Sequence, residues 1–305
     1  MKNKISVAGF VLTFTGAVLF STKAIIVKSA FADIHTDALT LLMLRMLCAL
    51  PFYIASLFFT RNQQQQLPLT KKQWLQLIFL GLFGYYLSSL LDFEGLQYVS
   101  AGLERLILFL YPTFVVLINI FFFRQKISGT QQLALMLTYA GIGIAYFGEL
   151  GNDVDNPNFL LGSILIFICA ITYAVYLVGS GKLIPQVGVS RFTVYSMLTA
   201  TASVFIHFAF KHNWSVLQQG GRRLWAYSIL LAVIATVIPS FLISAGMKKI
   251  GSNNVAIISS IGPVSTIVQA HFILGEKIFA AQIAGTVLVI AGVLLIGWRA
   301  RETAV

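Results

Sequence analysis

Long apolar segments separated by short polar ones dominate the hydropathy pattern of this chain. An apolar run of about 20 residues is long enough to cross a hydrocarbon core of about 30 Å as a helix. Ten such runs lie at about 7–28, 38–59, 74–91, 98–122, 131–148, 158–179, 192–210, 224–246, 254–274 and 280–298. They are continuous rather than alternating, so they predict helices and not the strands of a barrel. The predicted fold is an all-α polytopic membrane protein with ten transmembrane helices.

The second half of the chain repeats the first half at a fixed spacing. Residues 95–144 align without a gap with residues 246–295, at an offset of 151. The coincidences include Pro112 with Pro263, Lys126-Ile127 with Lys277-Ile278, and Gln131 with Gln282. Each copy holds five apolar runs, and an odd number of crossings inverts the second copy, as in many secondary transporters. We therefore predict two inverted five-helix repeats, at 6–149 and 158–299, joined by a turn-rich linker at 150–157.

Composition excludes the soluble classes of protein. The chain is 58% hydrophobic and 10% charged, and its mean hydropathy is +0.85. A soluble domain of this composition would expose large apolar patches. The two cysteines fall within predicted spans, at positions that indicate neither a disulfide nor a metal site. The sequence has no HExxH, GxSxG or phosphate-loop motif, so we predict no enzyme activity, cofactor or metal.

The distribution of the 21 lysines and arginines predicts the orientation in the membrane. Cytoplasmic loops are enriched in basic residues, and most basic residues here fall on the side of the N-terminus. Both termini are therefore predicted to be cytoplasmic, in a cell inner membrane, and the net charge of +11 does not indicate nucleic acid. The basic stretch from Lys211 to Arg223 is a local exception. Asp92, Glu149 and Glu276 are assigned to the outer side.

Four charged residues within predicted spans are the first candidates for a binding site. They are Lys23, Arg45, Glu104 and Arg105, and such a charge costs at least about 2.5–3.5 kcal/mol on insertion scales. The predicted boundaries place all four about 5–9 Å outside the membrane midplane, in one layer. Two alternatives remain open at this stage. Lys23 and Arg105 can snorkel to the headgroups, or Glu104 can be a buried partner that fixes the packing of Arg45.

Polar residues and prolines extend the candidate site. Helical spacing places Gln97, Ser100, Glu104 and Tyr111 on one face of the fourth helix, and Ser259 on a milder counterpart in the ninth. Pro112 and Pro263 occupy equivalent positions, and each removes a backbone hydrogen bond within its helix. Paired interruptions in two repeats indicate a central binding site.

The stretch GLQYVSAGLERLILFLYP (Gly95 to Pro112), followed by the turn at Arg124–Ile127, resembles the EamA-type members of the drug/metabolite transporter superfamily. The second copy, GSNNVAIISSIGP (Gly251 to Pro263) followed by Leu274-Gly275-Glu276-Lys277, carries the same resemblance. The first copy departs from it, with Phe123-Arg124-Gln125 at the corresponding turn. The resemblance covers nearly the whole chain. It implies ten helices in two inverted units and alternating access to small metabolites.

The expected function is transport of a small solute through a lipid bilayer. Three cations and one acid leave the predicted site positive, which favours an anionic or zwitterionic solute. No nucleic-acid partner is expected, and a homodimer is left open. The alternative is a membrane protein without transport activity, namely a receptor, a scaffold or an intramembrane enzyme.

Overall fold

A computed structural model describes residues 7–61, 68–123, 129–150, 156–211, 221–259 and 261–302. The described residues form thirteen α-helices, which we number in chain order. They are α1 (Val7–Ile34), α2 (Ala38–Arg61), α3 (Lys71–Gly81), α4 (Ser88–Gly95), α5 (Ala101–Leu108), α6 (Tyr111–Phe123), α7 (Gly129–Leu150), α8 (Phe159–Val187), α9 (Val189–Lys211), α10 (Gly221–Ala232), α11 (Ile238–Ser259), α12 (Ile261–Gln269) and α13 (Ala280–Glu302). Three π-helical segments lie between them, at Leu82–Leu87, Val233–Val237 and Ala270–Leu274.

The predicted all-α polytopic class is confirmed. Within the described ranges, six helical stretches are long and apolar enough to cross a membrane, and two apolar stretches, Ile261–Leu274 and Ala280–Gly292, are shorter. The number of ten spans therefore stays a prediction. One local prediction is wrong, because the fourth apolar run is divided between α5 and α6. Residues 247–253, which separate the eighth and ninth apolar runs, are α-helical.

Several predicted connections fall outside the described residues. They are most of the linker at 150–157, the glutamine-rich part of the loop after α2, the turn at Arg124–Ile127, and most of the stretch from Lys211 to Arg223.

Helices α7 and α13 pack closely because glycines face each other along their contact. A Cβ built on Gly141 would lie 2.6 Å from the carbonyl oxygen of Gly285, and Gly148 faces Ala281 at the other end of the contact. Residue numbers rise along one helix as they fall along the other, so the pair is antiparallel. The sequence offset makes these two helices equivalent, and an antiparallel pairing of equivalent helices is the arrangement that an inverted repeat requires.

Helix α1 contacts α11 and α12 in opposite directions. Gly9 lies against Ile250, and Gly16 against Ile243, so α11 runs antiparallel to α1. Ser21 lies about 18 Å from Gly9 along α1, and its hydroxyl donates to the carbonyl of Gly262 at 3.3 Å. The chain therefore reverses direction between Ile250 and Gly262, and α1 is enclosed by two consecutive segments of the second half.

Two of the three π-helical segments recur at the offset of the sequence repeat. The segment at Leu82–Leu87 follows α3, and the segment at Val233–Val237 follows α10. Leu82 and Val233 are 151 residues apart, which is the offset of the alignment. Both halves therefore carry an irregular turn at the same place, and such turns are rare and frequently lie at functional sites.

We predict that Gly141→Leu lowers the stability of the purified protein by about 1–3 kcal/mol, because overpacking forces neighbouring backbone apart. The matched control is Gly143→Leu on the same helix, where a Cβ would have no heavy atom within 4 Å. Thermal unfolding in detergent measures both. Equal unfolding temperatures for the two variants would contradict the close contact of α7 with α13.

Candidate functional site

A buried ion cluster joins α1, α4 and α5. The Lys23 ammonium lies 2.7 Å from Oδ2 of Asp92 and 3.6 Å from Oε1 of Glu104. All three side chains are buried, and Glu104 is fully inaccessible to solvent. An isolated charge would be very unfavourable there, and it is tolerated because opposite charges meet. The cluster therefore fixes the relative positions of three helices.

Asp92 is a site residue that the sequence analysis missed. It lies one residue beyond the predicted end of the third span and was assigned to the outer side, whereas α4 continues to Gly95. The signal that could have found it is the apolar sequence that resumes after it, since Phe93 and Leu96 are both buried. An acid flanked by buried apolar residues belongs to the helix rather than to the loop.

Arg105 is directed into the bundle by a serine of α1. Its Nη2 donates to Oγ of Ser21 at 3.2 Å, and its guanidinium lies 5.6 Å from the centre of the Phe20 ring, a cation–π distance. Ser21 in turn donates to Gly262 of α12. Arg105 is buried and Lys23 is ion-paired, so the alternative in which both side chains snorkel to the headgroups is wrong.

Arg45 is buried on α2 and does not pair with Glu104. Its Nη2 donates to Oγ of Ser89 at 3.1 Å, and its guanidinium stacks over the Phe93 ring at 5.0 Å. Asp92 is the acid within its electrostatic reach. The alternative in which Glu104 is the partner of Arg45 is therefore wrong, because Glu104 contacts Lys23.

A row of tyrosines extends from the charged residues into the bundle. The Tyr176 hydroxyl donates to that of Tyr85 at 3.1 Å, and ring contacts of 5.9 Å and 5.1 Å continue the row to Tyr173 and then Tyr111. Gly84 lies against the Tyr176 ring and leaves room for it. Arg45 is within electrostatic reach of Tyr85, and Arg105 of Tyr111. Of the four tyrosines, the sequence analysis selected only Tyr111, because an aromatic residue within a span carries no distinguishing pattern.

The structure does not bring the other predicted site residues to the ion cluster. Gln97 is exposed in the turn after α4, where its amide donates to Glu94 at 2.7 Å. The face predicted for Gln97, Ser100, Glu104 and Tyr111 does not exist as one helix, since α5 begins only at Ala101 and ends before Tyr111. Ser100 caps α5, accepting from the backbone N–H of Leu103 at 3.0 Å.

The remaining three predicted residues lie at helix ends. Ser259 is half-buried at the last residue of α11. Pro112 is the second residue of α6 and Pro263 the third of α12. A first turn tolerates proline because its N–H groups have no partner within the helix. The structure has a break between α5 and α6 just before Pro112.

Two further carboxylates hold the N-terminal end of α5. Oε1 of Glu276 accepts from the backbone N–H of Ala101 at 3.1 Å, and Oε1 of Glu149 accepts from that of Ser100 at 3.3 Å. Lys28 of α1 donates to the carbonyl of Val99 at 2.6 Å. These contacts join the ends of α1, α5 and α7 and the loop before α13 beside the ion cluster.

The charge of the site is less positive than the sequence predicted. Lys23, Arg45 and Arg105 face two carboxylates rather than one, which leaves a formal excess of one positive charge. The buried Nε–H groups of Arg45 and Arg105 have no hydrogen-bond partner among the described residues. In the same residues, no group of three or more His, Cys, Asp or Glu is placed to hold a metal ion.

Comparison with known proteins gives one family. The profile of the "EamA-like transporter family" matches residues 7–147 and again residues 160–298. The "Uncharacterized transporter YcbK" of Bacillus subtilis is 32% identical over 91% of this chain and 89% of its own length. A "WAT1-related protein" of Arabidopsis thaliana is 24% identical over 79% of this chain and 68% of its own length. A crystal structure with 17% identity superposes with a TM-score of 0.66, covering 96% of this chain and 98% of the other, so the fold is shared.

We predict that Lys23→Met destabilises the folded protein by about 3–5 kcal/mol, because it leaves a buried carboxylate without its partner. The double variant Lys23→Met/Asp92→Asn should lose less stability than the two single variants lose in sum. Denaturation in detergent measures the free energy of unfolding of each variant in this double-mutant cycle. The control is Arg223→Met, since Arg223 pairs with Asp33 at an exposed position, where about 1 kcal/mol or less is expected. Strict additivity of Lys23→Met and Asp92→Asn would contradict the ion pair.

Proposed function

Because the chain belongs to the EamA-like transporter family, we propose that it moves a small anionic or zwitterionic metabolite across the membrane by alternating access. The solute site that we propose lies where the two halves meet, between the ion cluster of α1, α4 and α5 and the row of tyrosines. Its residues are Lys23, Arg45, Asp92, Glu104, Arg105 and Tyr111, with Tyr85, Tyr173 and Tyr176.

The observation that carries this proposal is the pair of buried arginines with incomplete hydrogen bonding. A buried donor without a partner costs roughly 1–3 kcal/mol, and more when it is charged. The Nε–H groups of Arg45 and Arg105 have no partner in the described part of the chain. A carboxylate or phosphate of a solute would supply the missing acceptor, and the planar guanidinium suits such groups well.

The other groups have roles that follow from their contacts. Ser21 and Ser89 each hold one Nη2 and so orient the two guanidinium groups. Lys23 offsets one of the two carboxylate charges of Asp92 and Glu104, and the two arginines leave the site with an excess of one positive charge, which favours an anion. Glu104 can receive the ammonium group of a zwitterionic solute, because it is less tightly paired than Asp92. Its Oε1 lies 3.6 Å from the Lys23 ammonium, whereas Oδ2 of Asp92 lies 2.7 Å from it. The tyrosines supply apolar faces with hydroxyl groups at their edges.

Alternating access requires two halves that can rock against each other. The twofold match of the family profile, the antiparallel contact of α7 with α13 and the equivalent π-helical segments support inverted repeats at 6–149 and 158–299. The contacts of Lys28, Glu149 and Glu276 close the bundle beside the ion cluster on the side that we propose to be outer. They would have to separate for a solute to enter from that side.

We predict that Arg45→Ala lowers the apparent affinity for the solute at least tenfold, because a buried charged contact is worth about 2–5 kcal/mol. A thermal-shift screen of amino acids, organic acids, purines and sugar phosphates identifies a ligand through its stabilisation of the folded state. Uptake into proteoliposomes then measures transport by Arg45→Ala and by the control Arg223→Ala.

Two results would count against this assignment. A well-folded Arg45→Ala protein that transports at the wild-type rate would exclude Arg45 from the site. A ligand that binds without any uptake would favour a receptor over a transporter.

We predict that Lys126 and Lys277, which are equivalent at the offset of 151, are exposed on opposite sides of the membrane. The proposed inner-membrane orientation places both termini and Lys126 in the cytoplasm. Single cysteines at the two positions, in a chain whose Cys48 and Cys169 are replaced by alanine, can be tested with an impermeant thiol reagent. Labelling of both from one side would exclude inverted repeats.

A further inference from the structure

A groove outside the ion cluster lies between α3, α6 and α8. Its volume is about 570 Å³, within the range of ligand sites. Its walls are formed chiefly by Leu75, Phe79, Leu80, Ile118, Val175 and Val178. Leu75 is 69% exposed and Phe79 is 46% exposed. Side chains so apolar and so open face lipid rather than an aqueous pathway.

The groove is about one leaflet deep. Along α3 it extends from Leu75 to Leu80, and along α8 from Gln186 back to Val175. At 1.5 Å per residue the α8 wall is about 16 Å long, close to half of a hydrocarbon core of about 30 Å. An acyl chain of one leaflet therefore matches its length and its apolar walls.

The end of the groove at the membrane surface is polar and basic. Gln76, Lys182 and Gln186 line it, and all three are exposed. Lys72 precedes Leu75, Gln76 and Phe79 by three, four and seven residues, so it lies on the same face of α3. The two walls therefore each place one lysine at the same end of the groove.

The described acids that contact other groups lie at the opposite end of the bundle or within the ion cluster: Asp33, Asp37, Asp92, Glu94, Glu104, Glu149 and Glu276. Basic pockets between transmembrane helices are known sites for anionic lipid headgroups. Two lysines and two amides at the mouth of an apolar groove have that chemistry.

We propose that this groove binds one phospholipid, with an acyl chain between α3, α6 and α8 and an anionic headgroup held by Lys72 and Lys182. The site is separate from the proposed solute site and does not depend on the direction of transport. In the proposed orientation, it belongs to the cytoplasmic leaflet. Bound lipid would brace α3, whose continuation through the π-helical segment carries Tyr85.

Native mass spectrometry of the detergent-purified protein tests the proposal with phosphatidylglycerol and phosphatidylcholine of the same acyl chains. The wild type should retain one phosphatidylglycerol more tightly than phosphatidylcholine. Lys72→Ala with Lys182→Ala should weaken the binding of phosphatidylglycerol about tenfold or more and leave that of phosphatidylcholine unchanged. Lys71→Ala, about 100° round the same helix, is the matched control and should bind as the wild type does.

A second variant tests the groove itself. Val178→Trp should fill it and weaken the binding of both lipids, while thermal unfolding confirms that the protein is folded. Phosphatidylglycerol bound equally by the wild type and the double lysine variant would overturn the headgroup assignment. Displacement of the lipid by inorganic phosphate, or by the transported solute, would overturn the proposal of a lipid groove.

Discussion

A charged side chain inside a bilayer has to meet an opposite charge or a polar ligand, and five charged side chains are buried inside this bundle. Lys23 satisfies Asp92 and approaches Glu104, whereas Arg45 and Arg105 rely on serine hydroxyls and aromatic rings. The site thus contains one close ion pair, Lys23 with Asp92, and two arginines whose Nε–H groups have no hydrogen-bond partner among the described residues. We propose that these unsatisfied donors belong to a solute site rather than to a set of ion pairs that only holds helices together.

The surrounding helices can hold such a cluster because they approach each other closely where side chains are absent. Gly141 and Gly285 bring α7 and α13 together, and Gly9 and Gly16 do the same for α1 and α11. Lipid provides no hydrophobic drive for helix association, so dense contact between small residues replaces it.

Hydropathy predicted the all-α polytopic class, because hydropathy is a property of whole segments. Contacts between segments were harder to predict from the sequence. Asp92 was missed because the predicted third span ended where the hydropathy fell. Gln97 was wrongly assigned to the site because one helix was assumed to continue through the turn before α5. Tyr85, Tyr173 and Tyr176 resemble any aromatic residue of a membrane helix. Their selection required the geometry that places them in one row.

All five charged residues of the centre belong to the first copy of the repeat. At an offset of 153, which aligns Gly9 with Gly162 and Thr40 with Thr193, Lys23 and Arg45 correspond to Tyr176 and Leu198. At the offset of 151, Glu104 and Arg105 correspond to Val255 and Ala256. Two identical copies facing each other would have brought two excess cations across the symmetry axis, where like charges repel at low dielectric. Loss of charge from one duplicate removes that repulsion. In the site that we propose, the second half then contributes the aromatic rings of Tyr173 and Tyr176, so a change in the charge of the preferred solute would require substitutions in the first half of the gene.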